Sequence, residues 1–346
     1  MEQKNPPAAI PAAKESTSTM YSSSTSNTGN SNTSLSMLTY NIHSCVGSDG
    51  VYSVDRIAAV VKEANADIVC LQEVEVNAND SKQEPTTTRV WSKPHQDDQP
   101  AAIAAKAGYS HYQFAPAIRS QANLAGTRHA TEVFHPIDSD KGGLFGVALL
   151  SKYPILDTNV IQFAPYLKKT PRNALACLIE IPDNKSTNKT PTKKKQTVWI
   201  ICTHLGMHIR GSEQYQQAQE LRLFVEGLLR PSPSTQEQQQ KQQEEEQEHN
   251  KNNNNNNTVI LAGDFNSASW YAAIKELKLV LIEANRHNEG TFPAMSTGWF
   301  VRPGSLKLDY IFHSPDVICT DTQVQIQGAV ASDHLAFQAS LLLPKY

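Results

Sequence analysis

The sequence predicts a four-layer α/β sandwich, with two mixed sheets packed face to face and helices outside. Two observations carry that prediction. Several strand-like runs, such as 67–74, 174–181 and 259–262, are apolar at nearly every position, so both of their faces must be covered. These runs alternate with amphipathic helical segments that can cover the outer faces. Without its low-complexity stretches the chain leaves one core of about 260–270 residues, a size one domain accommodates.

Taken in order, "LSMLTYNI" (35–42) reads as a strand and "SVDRIAAVVKEANA" (53–66) as a helix. Ser53 suits the N-cap, and Val54, Ile57, Val61 and Ala64 share one face. "DIVCLQEV" (67–74) is a buried strand, and "QPAAIAAKAG" (99–108) a short helix closed by Gly108. Between them, roughly 76–98 reads as a long polar loop. Residues 146–155, 174–181 and 197–205 are strands. "SEQYQQAQELRLFVEGLL" (212–229) is an amphipathic helix stopped by Pro231. A strand follows at 258–266, a helix at 268–277, and strands in "KLDYIFHSP" and "HLAFQASLLL".

Three segments read as additions: a disordered tail at 1–34 and insertions at 183–196 and 231–257, the last rich in Gln, Glu and Asn. Such compositions bury too little apolar area to offset the entropy of ordering them. The Lys193–Lys195 run reads as part of a solvated loop. The catalytic domain is expected to occupy 35–346.

Charge and cysteine content narrow the function classes. With 31 basic against 34 acidic residues the chain lacks the basic excess of a general nucleic-acid clamp. The five cysteines form no C-x-x-C pair and read as buried thiols in a reducing compartment, which disfavours thiolate zinc. No apolar run approaches the ~18 residues of a membrane-spanning helix. The N-terminus has no apolar signal core. A cytoplasmic monomer is expected, with the nucleus as a second compartment.

Polar residues interrupt the strands in a pattern. Asn41, Glu73, His204 and the pair Asp264 and Asn266 close apolar runs, while Asp309, Asp333 and His334 sit in or beside others. Left unpartnered in a core, such groups cost about 1–3 kcal/mol each, so the economical reading is that they meet one another. Taken singly, Glu73 fits a surface position, His204 a hydrogen-bonded core histidine, and Asp333-His334 a turn or cap. Together they are an oxygen-rich set with two histidines, suited to a hard divalent ion, Mg²⁺ or Mn²⁺, and to acid–base chemistry at a phosphate ester.

The runs "LTYNIH", "DIVCLQEVE", "GVALLSKYPI", "THLG", "LAGDFN", "LDYIF" and "SDHLAF" resemble the endonuclease/exonuclease/phosphatase superfamily, in order and across residues 35–343. The resemblance implies a deoxyribonuclease-like sandwich and assigns roles by position. Glu73 resembles the principal metal ligand. Asn41 lies beside it as ligand or orienter, and Asp333 resembles a further metal or water ligand. Asp264 resembles the acid that positions or deprotonates water, and Asn266 the amide that steadies phosphoryl oxygens. His204 resembles the phosphate-contacting histidine, and His334 the histidine of a His–Asp pair whose partner resembles Asp309.

The wording is most similar to short metal-dependent hydrolases, including the hydrolase-like domain attached to membrane proteins of glycosylphosphatidylinositol-anchor remodelling. In that group His43 and His111 match recurring histidines, and Arg172 precedes a strand where an arginine is common. These three are the substrate-binding candidates. Trp299 and Phe300 fall in a loop that suits a lipid- or base-contacting lip. The reading is therefore a Mg²⁺-dependent phosphoester hydrolase acting on a lipid head group or small phosphoester, with peripheral membrane contact compatible with it. A nuclease and a non-catalytic module of the same fold are the alternatives.

Overall fold

The structure, a computed structural model, describes residues 33–77, 87–123, 131–167, 170–182, 196–230, 257–287, 289–295 and 302–344. The tail lies outside them up to residue 32, as do the two insertions except for Gln196 and Asn257, and the segment holding Trp299 and Phe300.

Along the chain the elements are β1 (Thr33–Asn41), α1 (Val54–Ala64), β2 (Ile68–Val76), α2 (Gln99–Ala107), β3 (His111–Asn123), β4 (Thr131–His135), β5 (Gly143–Ser151) and β6 (Ile155–Gln162). There follow β7 (Asn173–Ile181), β8 (Gln196–His204), α3 (Ser212–Leu229), β9 (Thr258–Asp264), α4 (Ala272–Leu277), β10 (Ile282–Glu283), β11 (Asp309–His313), β12 (Ile318–Gln325) and β13 (Ala336–Leu343). Among the described residues one sheet has seven strands in the order β12-β13-β1-β2-β5-β3-β4, the other six in the order β10-β11-β9-β8-β7-β6. Each is mixed, with one parallel pair: β1 with β2, and β8 with β9.

Side-chain alternation builds the layers. Leu35 and Met37 of β1, Ile68 and Cys70 of β2, Ile200 and Cys202 of β8, and Ile260 and Ala262 of β9 meet in a core between the sheets. Their neighbours point outward. Val69 and Leu71 pack under α1 and α2, and Val259 and Leu261 under α3 and α4. The fold is the expected four-layer sandwich.

Local signals account for the helix ends. Ser53 caps α1 by accepting from Arg56 N, and Gly108 closes α2 at φ 84°, a conformation costly for other residues. The expected strand 146–155 is two strands, β5 and β6, divided at 152–154 and lying in different sheets. The helix expected at 268–277 begins only at Ala272. The described part of the polar stretch before α2, 87–98, is irregular as expected, and Thr87, Thr88, Arg89, Ser92 and His95 are buried in it. All five cysteines are buried free thiols.

Candidate active site

Strand register brings the polar strand ends together. His204 lies opposite Asp264 in the β8–β9 pair, and Asp264 opposite Asp309 in the β9–β11 pair. Paired residues share a face about 5 Å apart, so the three form a row across three strands. Alternation from Cys202, Ala262 and Ile311 puts that row on the inner face, where the core between the sheets ends. From the other sheet Asn41 follows Leu35 and Met37 onto the same side.

Glu73 would point outward under simple alternation. A β-bulge corrects this: Leu71 pairs with Ala148 and Val74 with Gly146, so Gln72 and Glu73 face a single residue of β5. Glu73 adopts φ 56°, a left-handed conformation that costs a non-glycine residue on the order of 1–2 kcal/mol. Its Oε1 then lies 3.9 Å from His204 Nε2. Backbone strain is thus used to aim a carboxylate into the inter-sheet seam.

The central group is Asp264. Its Oδ2 accepts from Asn41 Nδ2 at 3.0 Å and its Oδ1 from Asn266 N at 2.8 Å. Burial pushes its carboxyl up, the His334 charge pulls it down, Asp309 pushes it up again, and it comes to rest at about 7. His334 Nδ1 bonds Asp309 Oδ2 at 2.8 Å, and Nε2 lies 3.7 Å from Asp264 Oδ2. Burial alone would lower this histidine, but Asp309 and Asp264 more than offset it and raise it to about 10. It is an imidazolium at neutral pH.

His204 is the opposite case. Burial and then the Arg172 guanidinium hold it well below its ordinary value, so it is neutral. Arg172 Nη1 lies 3.0 Å from His204 Nδ1 and has only N–H to offer, which makes Nδ1 the acceptor and Nε2 the N–H donor. Asn266 Nδ2 donates to Leu205 O at 3.0 Å and stands 3.1 Å from His204 Nε2. Two donors therefore converge at one point of the site, an arrangement that an anionic oxygen completes. Asn266 reaches it from φ 46°, left-handed like Glu73.

Metal chemistry fits the donor set. Glu73 Oε2 and Asp309 Oδ1 are buried without hydrogen-bond partners among the described residues. Asp264, Asp309 and His334 bring ligand-type atoms within 4.8 Å of one another, and while His334 is an imidazolium the carboxylates are the donors of that group. Carboxylates without thiolates suit a hard divalent cation. Asn41 Oδ1 accepts from His43 N at 3.0 Å while its Nδ2 donates to Asp264, so both ends of the amide are engaged. Asp333 sits at the rim, its side chain 36% exposed and 3.9 Å from His43 Nδ1.

His43 itself stacks on Trp91, with ring centroids 6.2 Å apart, at the edge of the site. His111 is a correction. It opens β3 opposite Ser151, which pairs with Ile68 at the far end of β2 from Glu73. Five residues of strand, about 17 Å, separate that end from the carboxylates, so His111 does not line this site. Arg89 and Trp91 were missed. The Arg89 guanidinium stands over the Trp91 and Phe145 rings, 4.5 and 5.1 Å from their centroids, and its Nη1 is 3.0 Å from Glu132 Oε2. The available signal was an Arg-x-Trp followed by a histidine in an otherwise polar stretch.

A profile of the Endonuclease/Exonuclease/phosphatase family matches residues 38–334. The chain belongs to that family. Its members are hydrolases acting on phosphoesters. No curated protein matches. Among solved structures, an endonuclease/exonuclease/phosphatase from Beutenbergia cavernae is 21% identical with a TM-score of 0.63, covering 90% of this chain and 72% of that one. A mannosyl-6-phosphatase from Bacteroides thetaiotaomicron is 17% identical with a TM-score of 0.53, covering 89% and 100%. The human Nocturnin catalytic domain with a bound sulfate anion is 17% identical with a TM-score of 0.51, covering 89% and 94%. At these identities the family's fold is what they share with this chain. Among the described residues no helix is long and apolar enough to cross a membrane.

Proposed function

We propose that the protein is a Mg²⁺-dependent hydrolase of phosphate esters, with a small or lipid-derived phosphoester as substrate. The observation that carries this reading is the row His204–Asp264–Asp309, closed by His334, beside Glu73, whose Oε2 is buried without a hydrogen-bond partner among the described residues. Glu73, with Asp333 at the rim, would hold the cation, and Mn²⁺ would substitute for Mg²⁺ there. The cation supplies charge neutralisation at the phosphate.

This chain's own residues do the rest. Asn41 and Asn266 N fix both oxygens of Asp264, whose pKa of about 7 suits it to take a proton from water near neutral pH. Asn266 Nδ2 and His204 Nε2–H hold a phosphoryl oxygen, and Arg172 keeps His204 in the donating tautomer. The His334 imidazolium, oriented by Asp309, places a positive charge next to Asp264 and can return a proton to the leaving oxygen.

The test is turnover of bis(p-nitrophenyl) phosphate and p-nitrophenyl phosphate with Mg²⁺, with chelator, and with Asp264→Asn. Mg²⁺-dependent release that the variant loses supports the reading. Release indifferent to both chelator and variant would sink it. Preferential, salt-sensitive cleavage of DNA or RNA would favour the nuclease alternative.

A further inference from the structure

Beside Arg172 lies an open pocket of about 710 Å³, lined by Ala117, Ile118, Phe134, His135, Ile137 and Pro171. Its origin is local. The β3–β5 register slips between Pro116 and Ile118, so Ala117 has no partner and β3 bends there. Arg119 then donates from Nε to Ile137 O at 2.9 Å and from Nη1 to Gly142 O at 2.8 Å, which pins the turn after β4 over the bend. The result is an apolar concavity at the sheet edge with Phe134 46% and Ile137 41% exposed.

Its position relative to the site is what matters. Pro171 forms part of the wall, and the next residue, Arg172, reaches His204 Nδ1. Ile118 is the register partner of Phe145, and both Arg89 and Arg172 stand over the Phe145 ring, at 5.1 and 5.9 Å. Thr170, before Pro171, accepts from Arg89 Nη2 at 3.0 Å. Apolar wall, paired guanidiniums and catalytic row therefore succeed one another through adjacent residues.

We propose that this pocket binds the hydrocarbon part of the substrate, which makes the preferred substrate an amphiphilic phosphoester: an alkyl or acyl chain in the pocket and its phosphate beyond the arginines. This rests on the hydrolase reading for the reacting end. The volume is that of a ligand pocket rather than a packing defect. Covering the exposed Phe134 and Ile137 side chains favours an apolar occupant. A nucleobase would bring several donors and acceptors to a wall whose described residues offer one polar side chain, His135, and that wall would leave most of them unmatched.

The experiment is a series of p-nitrophenyl alkyl phosphates, methyl to octyl, kept below micelle-forming concentrations, with Mg²⁺. kcat/KM is expected to rise by up to about fourfold per methylene until the pocket is filled. Phe134→Ala and Ile137→Glu, both at exposed positions, should flatten that rise while leaving methyl-ester turnover unchanged. Turnover without chain-length dependence overturns the pocket proposal and spares the hydrolase reading. A stronger response to a p-nitrophenyl nucleoside phosphate than to the octyl ester also overturns it. Calorimetric binding of octylphosphonate against methylphosphonate decides the matter even if no ester turns over: tighter octyl binding that Ile137→Glu abolishes supports the pocket, and equal binding refutes it.

Discussion

Asp309→Asn isolates one interaction and gives it a pH signature. The substitution keeps the shape and an oxygen for His334 Nδ1, 2.8 Å away, but removes the charge. His334 is buried at 5% exposure, and the carboxylates lift it from 6.5 to about 10 despite burial. Because the folded value exceeds the unfolded one, the linked stability is fully present below about pH 6.5 and is lost as pH rises through 10. The gap between 6.5 and about 10 corresponds to about 5 kcal/mol. Breaking a buried ion pair costs about 3–5 kcal/mol, the same scale. Asp309→Asn should therefore be several kcal/mol less stable than the parent at pH 6, with the difference closing toward pH 10.5, where the parent has lost its imidazolium. Urea midpoints at the two pH values measure this, and groups that titrate identically in both proteins cancel in the difference. Turnover should fall on the order of 10²–10⁴. A stability difference independent of pH would refute the assignment of an Asp309-held imidazolium, as would turnover within a few-fold of the parent.

Three further outcomes follow from the same geometry. The acid limb of kcat/KM should have its midpoint near 7, the value at which burial holds Asp264, and should move to lower pH as Mg²⁺ is raised, because an added cation favours the carboxylate; a pH–rate series at several Mg²⁺ concentrations checks this. Arg172→Ala should let His204 titrate closer to 6.5 and reduce turnover about 10–100-fold, read by histidine proton resonances alongside kinetics, because the guanidinium both lowers that histidine and fixes its tautomer. Gly263→Ala would bring a Cβ to 2.0 Å from the Thr203 backbone oxygen, forcing β8 and β9 apart where His204 faces Asp264; a loss of about 1–3 kcal/mol in denaturant melts and a disproportionate loss of turnover are expected.

Why the row His204–Asp264–Asp309 was legible in the sequence, and its surroundings were not, has a physical basis. A strand that is apolar on both faces and ends in an acid or histidine announces an end where the apolar core stops, and that signal is local. Nothing more than alternation is needed to put Asp264, His204 and Asn41 on the inner face. Glu73 shows the limit. Counted by alternation it belongs with Val69 and Leu71 under the helices, and only the bulge opposite β5, a pairing between distant segments, turns it inward. His111 fails for the complementary reason: it sits beside a strand-like run, but at the end of the sheet away from the carboxylates, and strand polarity within a sheet is a property of topology. Arg89 and His95 were hidden because their segment has no periodicity. What buries them is specific pairing, His95 with Glu75 at 2.9 Å and Arg89 with Glu132 at 3.0 Å, and pairing leaves no pattern in a linear sequence. The convergence of polar residues at strand ends was therefore readable, whereas what surrounds them depends on partners far apart in the chain. The chain-length series on the pocket beside Arg172 probes that second, unreadable part directly.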